Sequence, residues 1–230
     1  CCSINMASKI MKDLIDKGSV SRGWLGVGIQ DVSQDLAKAF KLKNTKGCLI
    51  TAVMEDTPAQ RGGMLKGDVV VRINDKLIQN SNHLRNEIAN AGAFTEIDLE
   101  LIREGKLVKI QLKLDERPQK VGRVKMEPKM NPALEQLEFM GMTVEALTNK
   151  KAEKLGVRPG IGVLISKIES GSPGEKAGLR TGMIIQEVER KAVKNFEIFK
   201  EIVNDIDKAK GILLLVTTSG GSRYIFIEEK

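Results

Sequence analysis

The sequence predicts an α+β fold that is mainly β and in which one type of domain occurs twice. Segments 47–88 and 162–203 align without a gap at an offset of 115 residues. Their identities include residues that backbone geometry selects: Pro58 with Pro173, Gly63 with Gly178, and Gly67 with Gly182. A period this long indicates a duplicated domain, because solenoid repeats run at roughly 20 to 50 residues. The length of 230 residues also fits two domains of about 100 to 150 residues each.

Each repeat contains the same order of elements. An apolar loop with glycines is followed by a short helix, a strand, a helical turn led by proline, a strand, a second helix and two alternating strands. In the first repeat these elements are predicted at 23–29, 35–40, 48–54, 58–61, 69–74, 81–90, 97–103 and 107–114. Hairpin turns are predicted at 103–106 and, between strands 212–218 and 224–228 of the second repeat, at 219–222.

The flanking segments set the predicted domain boundaries. Residues 4–17 place apolar side chains at helical spacing, so residues 1–22 are interpreted as the last helix of a preceding domain and a linker. Residues 117–136 combine prolines with charges and lack a period, which is typical of a linker. The two domains are then expected at 23–116 and 137–230. We expect the chain to be a piece of a longer precursor.

Composition argues against several classes of function. The formal charge of +7 arises from Lys and Arg scattered among acids, with few aromatic residues, which favours a solvated surface over a nucleic-acid interface. No apolar run approaches 18 residues, so no transmembrane segment is predicted. The three Cys and one His lack metal-ligand spacing and no nucleotide-binding motif occurs, so neither a metal nor a cofactor is expected. Cys48 lies in an apolar strand and is predicted to be buried.

A family resemblance rests on several motifs that follow one another in the first repeat. They are Gly23-Trp24-Leu25-Gly26-Val27, the strand 47–54, Thr57-Pro58-Ala59 with 63–68, and 74–78. Together they resemble PDZ domains of the bacterial HtrA type, and the passage 3–26 is similar to the end of an HtrA trypsin-like protease domain. The second repeat is similar but looser, with Met140-Gly141-Met142 at the loop and Met183 where the first has Asp68. The resemblance implies that each domain is a five- to six-stranded, partly open barrel or sandwich capped by two helices.

The same resemblance implies capture of peptide C-termini. A glycine between apolar residues lets successive backbone N–H groups point toward a carboxylate, while the peptide adds to a sheet edge as an antiparallel strand. The first site is expected at Trp24, Leu25, Gly26, Val27, Ile29, Ser81, Arg85 and Ile88. The second is expected at Met140, Gly141, Met142, Val144, Phe196, Lys200 and Val203. Leu84 and Phe199 are assigned to the core, and His83 is expected to be exposed and without a role in binding.

Catalysis is not expected from this chain itself. A Ser-His-Asp triad needs a histidine as general base, and His83 is the only histidine, without the Gly-Asn-Ser-Gly-Gly motif of HtrA proteases. The resemblance implies the tandem PDZ module of a periplasmic serine endoprotease that acts in protein quality control. Its implied partners are C-terminal or unfolded polypeptide segments, a trypsin-like protease domain and further copies in a homo-oligomer, whose contacts the second repeat is expected to mediate.

Two alternatives remain open from the residues alone. The first is a standalone PDZ scaffold or regulator without any associated protease, which an upstream trypsin-like domain would exclude. The second is a membrane-embedded site-two protease with PDZ insertions, which the lack of a transmembrane segment disfavours.

Overall fold

The computed structural model describes residues 22–116, 136–157, 161–207 and 210–228. These residues fall into two compact units, one in each half of the chain. The predicted helix at 4–17, most of the linker, and Cys1 and Cys2 lie outside the described residues. None of the described helices is both long and apolar enough to cross a membrane.

In the first unit, six strands form one antiparallel sheet with the order β2-β3-β4-β6-β7 and with β5 beside β4. A separate pair joins β1 to β8. The strands are β1 Gly23–Trp24, β2 Val27–Asp31, β3 Cys48–Val53, β4 Val69–Ile73, β5 Lys76–Leu77, β6 Glu96–Arg103, β7 Lys106–Lys113 and β8 Asp115–Glu116. The helices are α1 Gln34–Ala39, the single turn α2 Pro58–Arg61, and α3 Ser81–Ala91.

The second unit repeats the six-stranded sheet and adds β9 at its edge, and among the described residues it has no counterpart of the β1–β8 pair. Its sheet has the order β15-β14-β12-β11-β10-β9, with β13 beside β12. The strands are β9 Gln136–Phe139, β10 Met142–Ala146, β11 Val163–Ile168, β12 Ile184–Val188, β13 Lys191–Ala192, β14 Ile212–Thr218 and β15 Gly221–Ile227. The helices are α4 Asn149–Leu155, the single turn α5 Pro173–Lys176, and α6 Phe196–Asn204.

All six helices in the described part of the chain begin after a residue whose side chain caps the first turn. Each cap accepts a hydrogen bond from the backbone N–H three residues later, which satisfies a donor that the helix itself leaves unpaired. The caps are Ser33, Thr57, Asn80, Thr148, Ser172 and Asn195. Cap types and positions are therefore equivalent in the two units for all three pairs of helices, at the offset of 115 residues.

An ion pair between a buried carboxylate and a half-buried guanidinium fixes the turn before β4. Asp68 is completely buried, and its carboxylate accepts two 2.7 Å hydrogen bonds from the Nε and Nη2 atoms of Arg103 on β6. It also accepts from the N–H of Leu65 at 2.8 Å. Arg103 further donates to the carbonyl of Gly63 at 2.8 Å. These contacts hold the pKa of Arg103 above its usual value and tie the 63–68 turn to the sheet.

The second unit holds the equivalent turn from a different strand. The carbonyl of Gly178, at the position of Gly63, accepts from Arg223 on β15 at 3.0 Å. Met183 stands at the position of Asp68, with its sulfur 3.9 Å from the same guanidinium. Leu84 and Phe199 are both fully buried, which confirms their assignment to the two cores.

Cys48 is fully buried in β3, as predicted, and burial raises the pKa of its thiol to about 12. The thiolate is the reactive form, and only about one thiol in ten thousand would be ionised at pH 8. With Cys1 and Cys2 replaced by Ser, we expect the native protein to show no reaction with Ellman's reagent over minutes and the unfolded protein to release one equivalent. Rapid labelling of the native protein would show that this part of the sheet opens.

The predicted elements agree with the structure within a few residues, with exceptions at the ends of each unit. The hairpin at 103–106 is confirmed, with φ of +51° at Glu104 and +77° at Gly105. The short strands β5 and β13 and the pair β1–β8 are additional. Each unit has two helices and one single turn led by proline, as predicted. β9 begins at Gln136, the last residue of the predicted linker.

Candidate functional site

The loop between β1 and β2 presents two backbone N–H groups that no described residue accepts from. The carbonyl of Leu25 accepts from the N–H of Ala59 at 3.0 Å, and the carbonyl of Gly26 accepts from the N–H of Met54 at 2.9 Å. Among the described residues, none accepts from the N–H of Leu25 or Gly26. Buried amides rarely stay unpaired in a folded protein, and two in succession form a site suited to an anion such as a carboxylate.

Gly26 is required at this loop for two reasons. Its φ of +79° is one that residues with a side chain rarely adopt. A Cβ atom added there would also lie 2.4 Å from the Cβ of Thr57. Thr57 is itself fixed, because its hydroxyl donates to the carbonyl of Met54 at 2.7 Å while capping α2. The loop conformation is therefore set by packing against the start of α2.

Strand β2, which follows the loop, lies at the edge of its sheet. Among the described strands it pairs with β3 alone, in antiparallel register from Val27 opposite Val53 to Asp31 opposite Cys48. Val27 and Ile29 are half-buried and pack against the core. An extended peptide can therefore extend the ladder on the other side of β2, since main-chain groups at a sheet edge accept an added strand.

Helix α3 forms the facing wall and runs antiparallel to β2. The carboxylate of Asp31, at the end of β2, accepts from the N–H of Ser81 at 2.7 Å. At the other end, Gly23 lies so close to α3 that an added Cβ would be 2.4 Å from the carbonyl oxygen of Ile88. The Leu25–Gly26 loop is thus at the C-terminal end of α3, and a strand added antiparallel to β2 would run parallel to α3.

The predicted groove residues of α3 differ in their surroundings. Ile88 is buried in the core and Arg85 is exposed, while Ser81 is half-buried and bonded to Asp31. Hydrogen bonds from the side chain and backbone of Ser81 lower the pKa of Asp31, and the charge of Arg85 contributes in the same direction. Trp24, in β1 opposite Asp115, precedes the loop.

His83, which was expected to be exposed, makes contacts within the first unit. It is half-buried, its Nδ1 atom accepts from the N–H of Gln79 at 3.4 Å, and its Nε2 atom lies 3.8 Å from the carboxylate of Glu87. Both contacts are with its own helix and the preceding turn. The predicted lack of a role in ligand binding stays a prediction.

The second unit does not offer the same open edge, and the sequence-based description of its site needs a correction. β10 pairs with β11 on one side and with β9 on the other, from Met142 opposite Phe139 to Glu145 opposite Gln136. Phe139 is buried and packs edge-on against Phe199 of α6 with ring centroids 5.7 Å apart. β9 therefore occupies the place where an added peptide strand would pair.

The turn that connects β9 to β10 explains why the edge strand of the second unit is paired on both sides and that of the first unit is not. Met140 and Gly141 have φ of +53° and +72°, the signature of a type I′ turn, which joins adjacent antiparallel strands. In the first unit Gly26 alone has a positive φ at this loop, and β1 leads away to pair with β8. Of the predicted second site, Met140, Met142, Val144, Phe196 and Val203 are buried and Lys200 is exposed.

Sequence reasoning missed Asp31 and Thr57 as supports of the first site. Asp31 has no local signal in the sequence, because only the fold brings the end of β2 to the start of α3, where a carboxylate is favourable. Thr57 was recognised only as part of the Thr-Pro helix start. The residue pairs Asp31–Ser81 and Gly26–Thr57 are separated by many residues in the chain, so their contacts depend on the tertiary fold.

Comparison with known proteins gives consistent findings. Residues 23–114 match the PDZ domain family. Over 97% of its length the chain is 31% identical to a probable periplasmic serine endoprotease, DegP-like, of Chlamydia trachomatis. Over 96% it is 30% identical to a protein of the same description from Pseudomonas fulva. The chain spans less than half of these relatives, 43% and 46% respectively.

Similar solved structures are also HtrA-type or endoprotease chains. The chain is 31% identical to the HtrA-type protease AlgW with a decapeptide, with a TM-score of 0.45, over 51% of this chain and 36% of the other. It is 24% identical to a serine endoprotease from Yersinia pestis, with a TM-score of 0.39, over 50% and 36%.

Proposed function

Because residues 23–114 match the PDZ domain family and the chain is 31% identical over 97% of its length to a DegP-like serine endoprotease, we propose that it captures polypeptide C-termini for such a protease. The observation that carries this proposal is the pair of amides at Leu25 and Gly26, which have no acceptor among the described residues and lie at the end of β2, a strand that pairs on one side alone within the described part of the chain. A terminal carboxylate would accept from these amides. The preceding residues would pair with β2 between that strand and α3.

The proposal assigns different roles to the two units. The first unit captures C-terminal or unfolded apolar segments and delivers them to a trypsin-like protease domain in protein quality control. For the second unit, whose corresponding edge is occupied by β9, we propose contacts between copies in a homo-oligomer. The curated relatives are named periplasmic, and the periplasm is the compartment that we assign. Catalysis belongs in this scheme to the protease domain and not to this chain.

A titration with matched peptides tests carboxylate capture. A fluorescent peptide with an apolar C-terminal residue is titrated with the full chain, once with a free carboxylate and once amidated. We expect amidation to weaken binding at least tenfold, because it removes the charged acceptor for the loop amides. Equal affinities for the two peptides would contradict the proposal. The peptide without its last residue is the control for nonspecific apolar binding.

A further inference from the structure

Strand β7 forms the second open edge of the sheet in the first unit. Within the described part of the chain it pairs with β6 alone, and the register from Glu96 opposite Lys113 to Arg103 opposite Lys106 runs without a bulge. A long, regular edge strand keeps a row of main-chain donors and acceptors that another strand can use. β7 lies at the opposite edge of the sheet from β2, so this row is separate from the candidate site described above.

The hydrogen bonds of β6 show which groups of β7 point away from the sheet. The carbonyl of Asp98 accepts from the N–H of Asn74 at 2.7 Å, so the backbone of Asp98 faces β4. Backbone groups of successive residues in a strand point to opposite sides, so Leu99, which lies opposite Ile110, faces β7 and bonds to it. By the same alternation, the outward-pointing groups of β7 are those of Leu107, Lys109, Gln111 and Lys113.

The exposed face of β7 is basic. The strand contains three lysines and no acidic residue, and Lys109 and Lys113 lie on the face that points away from the core. Lys109 shares the carboxylate of Glu100 with Arg72, at 2.9 and 3.2 Å respectively. Among the described residues, no carboxylate lies within ion-pair distance of Lys113. The edge therefore carries positive charge that its own unit does not fully neutralise.

The inner side of the same edge is apolar and leads to a cavity. Val108 and Ile110 are half-buried and pack against the core. A cavity of about 330 Å³ lies between the end of β7 and the single turn α2. Its lining includes Pro58, Arg61 and Gly62 on one side and Gln111, Leu112 and Lys113 on the other. A strand added to β7 would place alternate side chains along this apolar side and the others beside the lysines.

We propose that β7 binds an extended acidic segment of another polypeptide by strand addition. The segment has acidic residues four positions apart, opposite Lys109 and Lys113, and apolar residues at the two inner positions between them. Lysines on an edge strand disfavour a basic or purely apolar neighbour. They also oppose pairing with β7 of a second copy, because like charges opposite one another destabilise a ladder. An acidic strand is favoured by the same charges.

The test uses a seven-residue labelled peptide in which valine alternates with polar residues, with Glu at the second and sixth positions and Thr at the fourth. Both ends are blocked, so the peptide has no terminal carboxylate, and versions with Gln or Lys in place of Glu are matched controls. We expect the full chain to bind the Glu peptide about three- to tenfold more tightly than the Gln peptide, with the difference shrinking at high salt. The Lys peptide should bind most weakly.

Variants of β7 separate the effect of charge from that of backbone pairing. Lys109→Glu combined with Lys113→Glu should reverse the order, so that the Lys peptide binds best. Gln111→Pro removes an outward N–H and leaves the bonds to β6 in place, because proline is tolerated on an edge strand when its missing donor points outward. We expect it to weaken binding of the Glu peptide at least tenfold. Gln111→Ala keeps the N–H and should bind that peptide as the native chain does.

Two controls keep these results separate from a change in overall charge or folding. Lys150→Glu combined with Lys154→Glu makes the same change of charge on α4 of the second unit and should leave the peptide order unchanged. Trp24 fluorescence, the only tryptophan signal, verifies that the first unit is folded in each β7 variant.

Several outcomes would overturn the inference without touching the proposed function, which the blocked peptides do not test. Equal binding of the Glu, Gln and Lys peptides would mean that the lysines select nothing. Equal binding of the Glu peptide by the native chain and by Gln111→Pro would place the peptide at another edge. A native dimer that Gln111→Pro converts to a monomer in sedimentation, without binding of the Glu peptide to the native chain, would assign the edge to a second copy.

Discussion

Replacing Arg103 with Leu should lower the free energy of unfolding of the first unit by about 3–5 kcal/mol. The reason is that Asp68 is fully buried and would lose both of its charge-assisted hydrogen bonds, leaving only the N–H of Leu65 as a donor. Removing one partner of a buried pair leaves an uncompensated charge in a low-dielectric interior, which is among the most destabilising single changes. Urea denaturation followed by Trp24 fluorescence isolates the first unit, because no other tryptophan is present.

The second unit suggests the compensating change. It places Met183 where the first has Asp68, so an apolar residue is compatible with this turn. The double variant Asp68→Met with Arg103→Leu removes both charges. It should be more stable than Arg103→Leu alone by about 2 kcal/mol or more, since an apolar replacement of a buried pair is often near neutral. The single variant Asp68→Met is measured as well. If the stability losses of Asp68→Met and Arg103→Leu simply add in the double variant, the unpaired charge of Asp68 is not the cause of the loss in Arg103→Leu.

The sequence predicted the local parts of the candidate site well and the pairing of its edges less well. Leu25, Gly26 and Val27 were expected at the site because of the resemblance to PDZ domains, and the backbone freedom of a glycine between apolar residues supports this expectation. The face formed by Ser81, Arg85 and Ile88 followed from helical periodicity, which is also a local property. Both features lie together in the folded first unit.

What the sequence did not predict depends on contacts between distant segments. Met140 occupies the position of Leu25 but adopts a positive φ, which an apolar residue rarely does, and nothing in its side chain signals this. The type I′ turn that results allows β9 to pair with β10. The energetic support for this hairpin comes from Phe139, which packs on Phe199 sixty residues later in the chain. A repeat of sequence therefore does not guarantee a repeat of open edges.

Replacing Gly26 with Ala should reduce binding of a peptide with a free C-terminus at least tenfold. The methyl group would overlap Thr57, at 2.4 Å from its Cβ, and the φ of +79° would be strained by about 1–2 kcal/mol even without that overlap. Relief of this overlap requires the loop to move, which redirects the amides of Leu25 and Gly26. The measurement is a titration of the labelled peptide against the native chain and the variant, with Trp24 fluorescence to verify that the unit is folded.

Alanine substitutions at two other glycines are controls. They show whether a loss of binding comes from the geometry of the Leu25–Gly26 loop or from the general loss of stability when a glycine with positive φ is replaced. Gly105 has a similar φ of +77° with no atom within 4 Å of an added Cβ, so Gly105→Ala carries the backbone strain alone and should leave the peptide affinity unchanged. Gly141 is the equivalent of Gly26, and its added Cβ would lie 2.3 Å from Ser172. Gly141→Ala should destabilise the second unit without changing peptide affinity, because β9 already occupies that edge. A loss of binding in Gly141→Ala equal to that in Gly26→Ala would mean that the second unit takes part in peptide capture.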